Sequence, residues 1–546
     1  MKLEQVTSQK LLGMMLDEKL DFKDHMNYLE NVARSKLCKI KDLYNKHFGL
    51  PTHLALPLYN CYMRTILEST YPCWSTVPEE SLNKFESIQG EVMRAIMKIS
   101  GKISHNALDV EAGILPIKIR LKQILAQFGV KILRKPNEDP IKQIIVQNLR
   151  RENIGKSVTL ADKIRMALTS YTKNKIDFDL IEPEFPIYNK QVSTITPDLF
   201  LWKGYGNSTS RTEKQKSEMK NIVDDHLKGI PDTDIICFTD GSVINPDNHG
   251  MGRCGAGITI YEKGLEHEPI TIEEKVSTYS TAYHGEIYAI KYALRKCKTL
   301  NLTNVDKIHI FSDCQSAIMS IINNKNADSH QDEINDINKM AKSLENKNIE
   351  TVISWVGGHS EIEGNILADT AAKNGALKPD DIQTKVSQKM AKNIILNGAM
   401  EHWQKKWTIS TTGQHLKNIQ TRVSLGNSSK CLKSRKSQIS LHQIKLGRSD
   451  LNGQDPINKK QLNEKLCIFC NCVEDTEHYI LFCHRYSCQR RNMFLQIEST
   501  LAENNISSRD VRKNLLFLAE NKDLPLKVRQ EILGAIETFL ITTSRL

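Results

Sequence analysis

Apolar positions along this chain follow two rhythms. Between residues 234 and 376 short apolar runs alternate with turn signals. The runs at 235–239, 255–262 and 270–278 predict three strands. Glu286 then opens Glu286-Ile287-Tyr288-Ala289-Ile290-Lys291-Tyr292-Ala293-Leu294, where Ile287, Ile290 and Leu294 share one helical face. A strand from Lys307 to Asp313, helical stretches from Ser316 to Lys347, a strand at 351–356 and a last helix follow. Strands mixed with helices in this order predict an α/β domain over residues 230–380.

Outside that window the spacing is helical. In residues 1–135 a long helical pattern runs from His25 to Phe48. Pro51 and Pro57 punctuate the chain before Leu58 to Glu68, and Leu82 to Ile99 puts Phe85, Ile88, Val92, Ile96 and Ile99 near helical spacing. Residues 136–229 turn polar and irregular, broken by Pro136, Pro140, Pro183, Pro186 and Pro197 and by a loop-like Gly204-Tyr205-Gly206-Asn207-Ser208-Thr209-Ser210. Helices are expected at Ile141–Arg150 and Leu160–Tyr171, and a charged linker at Arg211–Lys220. Residues 381–546 are basic and helical. Trp403 and Trp407, four apart, pack against a neighbouring helix more often than they stack on bases. The stretch Lys430-Cys431-Leu432-Lys433-Ser434-Arg435-Lys436 reads as a phosphate-contacting patch, a weak nuclear-import signal or a solvated face.

Four carboxylates stand at the ends or starts of the α/β elements. Asp240 closes the first strand at Asp240-Gly241-Ser242, Glu286 begins the first helix, Asp313 ends the strand from Lys307, and Asp369 lies inside the last helix. Any one of them alone is ordinary, because Asp and Glu end strands everywhere. Together they predict something more. Buried carboxylates repel one another, and a fold that gathers several needs a compensating charge, which divalent metal supplies. Oxygen ligands favour hard cations, hence Mg2+ or Mn2+. Two such ions stabilise the attacking and leaving oxygens of a phosphoryl displacement.

The layout and motifs resemble a type 1 ribonuclease H domain, with a five-stranded mixed sheet. The matching pieces are Thr239-Asp240-Gly241-Ser242, the approach from Thr281 to Glu286, Ser312-Asp313-Cys314-Gln315-Ser316-Ala317, and Trp355-Val356-Gly357-Gly358-His359-Ser360 with the trailing Gly364-Asn365 and Ala368-Asp369. The resemblance implies that Asp240, Glu286, Asp313 and Asp369 hold two metal ions. It also implies that His359 assists proton transfer or product release, and that Ser242 and Asn365 touch an RNA–DNA hybrid. One departure is Gly357, where related transposon domains commonly have Pro. The expected reaction is hydrolysis of the RNA strand of the hybrid. The alternatives are a catalytically silent or co-opted nucleic-acid-binding module of the same fold, or another nuclease built on it.

The flanking segments extend the resemblance. Leu11-Leu12-Gly13-Met14-Met15-Leu16-Asp17, Ile66-Leu67-Glu68 leading to Trp74, and Glu111-Ala112-Gly113-Ile114-Leu115-Pro116 look like the tail of a non-LTR retrotransposon reverse transcriptase. That implies a thumb and connection remnant over 1–135, with the missing reverse transcriptase portion as a partner. No aromatic-x-Asp-Asp polymerase motif appears on a strand. Val223-Asp224-Asp225 lies in a charged helical stretch, so polymerase activity is not expected.

A second metal constellation is Cys467-Ile468-Phe469-Cys470 followed by His478 and Cys483. Three thiolates and one imidazole complete a tetrahedral zinc site, with Cys472, His484 and Cys488 as spare candidates. Reduced cysteines without a metal are the alternative. The segment resembles the cysteine-histidine segment near the C-terminus of retroelement polyproteins.

Composition adds limits. At 546 residues, 40% apolar and 25% charged, the chain supports two to four domains. No run reaches the roughly 18 apolar residues of a membrane span, and no signal-peptide core opens it. Thirteen scattered cysteines then suit a reducing intracellular setting, nucleus or cytoplasm. A net charge of +11 suits a polyanion partner without requiring one.

Overall fold

The structure, a computed structural model, describes residues 6–46, 48–150, 158–172, 181–182, 194–198, 213–246, 250–323, 330–358, 362–379, 385–454, 462–507 and 515–546. His359, Pro183, Pro186 and the 204–210 loop lie outside the described residues. The chain forms two compact units. One comprises residues 129–150 and 172–395, the other 1–128, 151–171 and 396–546.

The first unit is built on a mixed sheet. Its strands are β1 (Ile235–Ile244), β2 (Met251–Tyr261), β3 (Ile270–Thr281), β4 (Lys307–Ser312) and β5 (Glu350–Trp355). Its helices are α1 (Ala282–Cys297), α2 (Gln315–Asn323), α3 (Gln331–Glu345) and α4 (Glu363–Leu377). β1 to β3 form an antiparallel meander, while β4 pairs in parallel with β1 and β5 with β4. A three-residue strand, Thr196–Asp198, extends the edge beside β5. Pro197 sits there, where a missing N–H is tolerated.

β1 shows why the sheet is central. Its side chains alternate between two cores: Ile235 and Cys237 face α1 and α3, whereas Ile236 and Phe238 meet Phe311, Tyr261 and Ala368 of α4. Phe238 and Phe311 stack at 5.1 Å between ring centres. Such a strand, buried on both faces, reads as a continuous apolar run. Ile287, Ile290 and Leu294 carry α1 onto one face. On the other, Gly255 and Gly257 of β2 leave no room for a Cβ against the backbone of α4, which lies directly on the sheet. Lys275 reaches the last turn of α4 and donates to the Ala376 carbonyl at 2.8 Å, a cation at the negative end of a helix.

Two expectations are corrected in this unit. α1 begins at Ala282, four residues before Glu286, because Thr281 caps it by accepting from the His284 N–H at 3.3 Å. The charged Arg211–Lys220 stretch is not simply a linker. A helix runs over Glu213–Lys228, and Val223 and Leu227, four apart, pack into the core with Phe238 and Phe311.

The second unit is mainly helical, with one exception at its start. Ser8–Leu11 and Met14–Asp17 form a two-stranded hairpin rather than a helix. Leu12 and Gly13 both take positive φ, at 47° and 88°, as a two-residue hairpin turn requires. Pro57 lies inside a helix, Thr52–Leu58, which continues into a π-helical turn over Tyr59–Arg64. Trp403 and Trp407 are both about 1% exposed and serve the core; the Trp407 indole donates to the Gln420 carbonyl at 3.0 Å. Arg435, placed by sequence in a basic patch, is buried and donates to the Ile96 carbonyl.

At its heart this unit holds a buried charge network. Lys445 Nζ lies 2.6 Å from a Glu111 oxygen and 2.6 Å from Glu520. His442 Nδ1 lies 2.7 Å from the other Glu111 oxygen. Glu111 comes from the N-terminal segment and the rest from the C-terminal one, so the two share one interior. No helix among the described residues is long and apolar enough to cross a membrane.

Candidate active site

The acid cluster is assembled by close backbone approaches. Asp240 lies within β1, just past the parallel pairing of Thr239 with Ser312, and Asp313 follows the end of β4, which brings their carboxylates side by side. β1 runs on to Ile244 and does not close at Asp240, because residues 240–244 go on pairing with β2. Gly241, next to Asp240, contacts the first turns of α1 so tightly that a Cβ there would collide with the Glu286 amide nitrogen. Gly285 faces Gly241 from the helix side, where a Cβ would come 2.9 Å from the Gly241 Cα. Two glycines thus let Glu286 arrive beside Asp240. Trp355 holds the end of β5 to this corner by donating from its indole to the Asp313 carbonyl at 3.0 Å. Gly358, in the loop after β5, sits over the Asp313 carboxylate, with room for a Cβ only at 2.7 Å from its Oδ2.

One oxygen from each of Asp240, Glu286 and Asp313 lies within 4.8 Å of the others. Asp240 and Glu286 are 7% and 5% exposed. Burial, then the charges of Asp313 and Asp369, push the Asp240 carboxyl up to about 7, with Lys373 opposing. Glu286 is held well above the carboxylate range by burial, and next by Asp240, Cys314 and Asp313. Ser312 donates from Oγ to Glu286 Oε2 at 3.3 Å. Asp369, on α4, is near enough for its charge to act on Asp240, yet it is half-exposed and paired with Lys373 at 2.6 Å.

This donor set fits hard divalent cations. The oxygens are gathered, those of Asp240 and Glu286 are buried and destabilised by their neighbours, and a doubly charged ion would remove that repulsion. Ser242 lies on β1 two residues past Asp240, and Asn365 is buried on α4 one turn before Asp369, its Oδ1 without a hydrogen-bond partner among the described residues.

The cysteine cluster also converges, in the second unit. One ligand atom from each of Cys467, Cys470, His478 and Cys483 lies within 4.8 Å of the rest. A small hairpin makes the first half: Leu466 bridges Val473, the Cys467 N–H donates to the Cys472 carbonyl at 2.7 Å, and Asn471 turns the chain at φ 53°. His478 follows in a π-helical turn, with Cys483 just after it. Of the spare candidates, Cys472 Sγ is 3.1 Å from His478 Nδ1, the His484 N–H donates to Cys470 Sγ at 3.3 Å, and Cys488 is exposed. Burial pushes the Cys483 thiol up to about 12. Cys470 is desolvated too, but the His484 N–H and hydrogen bonds with Cys483 and Cys467 hold it below the ordinary thiol value. Thiols that compete for protons in this way suit deprotonation by a metal.

A third cluster, His284, His330 and Glu333, has no sequence motif and escaped the sequence reading. Its members belong to α1 and to the start of α3, and no fixed spacing announces them.

A mixed sheet in this order, with acids on β1, just after β4 and on α1, defines an α/β domain of ribonuclease H fold. Residues 232–377 match the RNase H family model, so the chain carries an RNase H domain there. No curated protein matches the chain. Among solved structures, RNase H1 from the halophilic archaeon Halobacterium salinarum is 15% identical, covering 26% of this chain and 96% of that one, with a TM-score of 0.20. LC11-RNase H1, isolated from compost by metagenomics and solved in complex with RNA/DNA hybrid, is 17% identical over 26% and 96%, TM-score 0.21. The foamy viral protease-reverse transcriptase in complex with dsDNA is 22% identical over 27% and 98%, TM-score 0.21.

Proposed function

We propose that this RNase H domain hydrolyses the RNA strand of RNA–DNA hybrids and requires divalent metal. The observation that carries the reading is the convergence of Asp240, Glu286 and Asp313 on one buried anionic site. When bound, two Mg2+ or Mn2+ ions would supply the activation of water and the stabilisation of the departing 3′ oxygen.

The chain's own part is positioning. Asp240 and Asp313 offer oxygens from rigid, neighbouring strands, and Glu286 is steered by Ser312 and the Gly241 contact. Asp369 contributes from α4, and His359 serves proton transfer or product release. Ser242 and Asn365 touch the hybrid, where contact with a 2′-hydroxyl tells RNA from DNA. Phosphate contacts give affinity without sequence preference, in keeping with the net charge of +11.

The setting we propose is a non-LTR retrotransposon polyprotein, in which the domain removes the RNA template after first-strand synthesis. Residues 1–135 then descend from a reverse transcriptase thumb and connection, and Cys467, Cys470, His478 and Cys483 hold zinc. The test is cleavage of a labelled RNA–DNA hybrid by the full chain, in Mg2+ and in EDTA, beside Asp240→Asn. Cutting of the RNA strand alone, lost in EDTA and in the variant, is the expected result. A folded chain that binds the hybrid and cuts neither strand in Mg2+ or Mn2+ overturns it and leaves a silent binding module.

A further inference from the structure

His284, His330 and Glu333 form a buried cluster beside the acid site, with ligand atoms within 4.8 Å of one another. His284 Nε2 lies 3.1 Å from Glu333 Oε2, and His330 Nδ1 lies 3.7 Å from the same oxygen. Among the described residues, neither His284 Nε2 nor Glu333 Oε2 has a hydrogen-bond partner, although both atoms are shielded from water. Two orphaned polar atoms at this depth normally carry a cost of about 1–3 kcal/mol each. The other oxygen of Glu333 lies 3.9 Å from Lys291 Nζ. We infer that His284, His330 and Glu333 are the ligands of a zinc ion that bolts the start of α1 to the start of α3.

The protons support this. Ser280 Oγ lies 2.7 Å from His284 Nδ1 and directs its own hydrogen toward Met390 Sδ at 3.7 Å. When its oxygen accepts the Nδ1–H, the lone pair of His284 falls on Nε2, facing Glu333. An imidazole oriented by a hydrogen bond on its far nitrogen is the usual support for a metal ligand.

The distances and donor types agree with zinc. Two ligands of a tetrahedral zinc with bonds near 2.0 Å stand roughly 3.3 Å apart, close to the His284–Glu333 separation. Imidazole nitrogens favour zinc, while the all-oxygen acid cluster favours Mg2+ or Mn2+, so the two neighbouring sites sort their ions by chemistry. The two imidazole rings stack at 3.9 Å between centres and 17° between planes. Parallel rings cannot both aim at one ion, so loading turns His330 out of the stack. His330 caps α3 at φ 62°, with its N–H donated to Glu182 at 3.1 Å, which leaves its ring tied to no helical turn. The consequence reaches the acid site, because His284 lies two residues before Glu286 on α1.

The test counts metal and does not depend on nuclease activity. In the full chain, Cys467→Ser with Cys470→Ser removes the thiolate site. That protein is expected to retain one zinc per chain by elemental analysis, and to lose it when Glu333→Gln is added. Cobalt loaded in its place is expected to absorb in the visible without thiolate charge transfer, since the ligands are nitrogen and oxygen. Ser280→Ala is expected to weaken zinc binding about tenfold. His330→Gln, at the edge of the cluster, replaces Glu333→Gln if the latter unfolds the chain. No zinc in the folded cysteine variant, or zinc unchanged by Glu333→Gln and His330→Gln, overturns the proposal and leaves a proton joining His284 to Glu333.

Discussion

Gly241 and Glu286 touch backbone to backbone, and no Cβ fits on Gly241 without striking the Glu286 amide nitrogen. The glycine is a spacer that sets how closely a helix may approach the strand. The distance between the Asp240 and Glu286 carboxylates depends on it.

Gly241→Ala is therefore expected to push the first turns of α1 away from β1 and widen the acid cluster. Misplacing a reacting group by about 1 Å can cost on the order of 10²-fold in rate. The expected outcome is a loss of that size in hybrid cleavage, with circular dichroism close to that of the parent. Cleavage within a few-fold of the parent would show that the contact is slack.

The proton on Asp240 predicts how metal and pH interact. An acid whose folded pKa lies above its unfolded value stabilises the fold while protonated. That contribution is complete below about pH 4 and is lost as pH rises through about 7. In EDTA, melting temperature should thus fall between pH 5 and pH 8. Mg2+ replaces the proton as the compensating charge, so its stabilising effect should be large at pH 8 and small at pH 5. Scanning fluorimetry with and without Mg2+ measures the gap, and Asp240→Asn should flatten its pH dependence. A gap that is constant with pH would place the ions away from Asp240.

Asp369 and Lys373 make a further prediction. Their 2.6 Å ion pair, one helical turn apart on α4, competes with any cation that Asp369 would hold near Asp240. Exposed pairs of this kind are worth about 0.2–1 kcal/mol. Lys373→Met should lower the Mg2+ concentration needed for half-maximal cleavage, by up to about fivefold. An increase instead would mean that Lys373 works on the substrate phosphates, not on Asp369.

Much of this domain was legible in the sequence for a physical reason. Strands buried on both faces leave a continuous apolar signature, and the first half of β1 and all of β4 show it. Asp240-Gly241 reads as the end of β1, which instead runs on to Ile244 because it goes on pairing with β2. The helix start was misjudged because Thr281 caps through a side chain while Ala282, Tyr283 and His284 give no periodic signal. The hairpin at residues 8–17 was hidden because its turn needs Leu12 at positive φ, a conformation that leucine does not advertise. The Glu213–Lys228 helix looked solvated because lysines outnumber Val223 and Leu227, the residues that anchor it. Least legible were groupings made by the fold alone. His284, His330 and Glu333 share no motif, and Glu111 meets Lys445 across more than three hundred residues of chain.

That last pairing carries the fourth prediction. Lys445 is fully buried and lies between Glu111 and Glu520, at 2.6 Å from each, and His442 supports Glu111 from the other side. Burial disfavours its charge, but the two carboxylates more than compensate and hold its pKa above the ordinary lysine value. Lys445→Met keeps an unbranched side chain one atom shorter and removes the cation, which leaves two buried acids facing each other. Removing one partner of a buried pair typically costs about 3–5 kcal/mol, since the remaining charge is uncompensated. Urea unfolding should show a loss of that order. Adding Glu111→Gln and Glu520→Gln to Lys445→Met should recover most of it, because neutral amides leave no charge behind. Because Glu111 belongs to the N-terminal segment and Lys445 to the C-terminal one, limited proteolysis of Lys445→Met should open both segments together. If residues 1–128 stayed protected while 396–546 were cut, the two segments would be independent, and the network would be local to one of them.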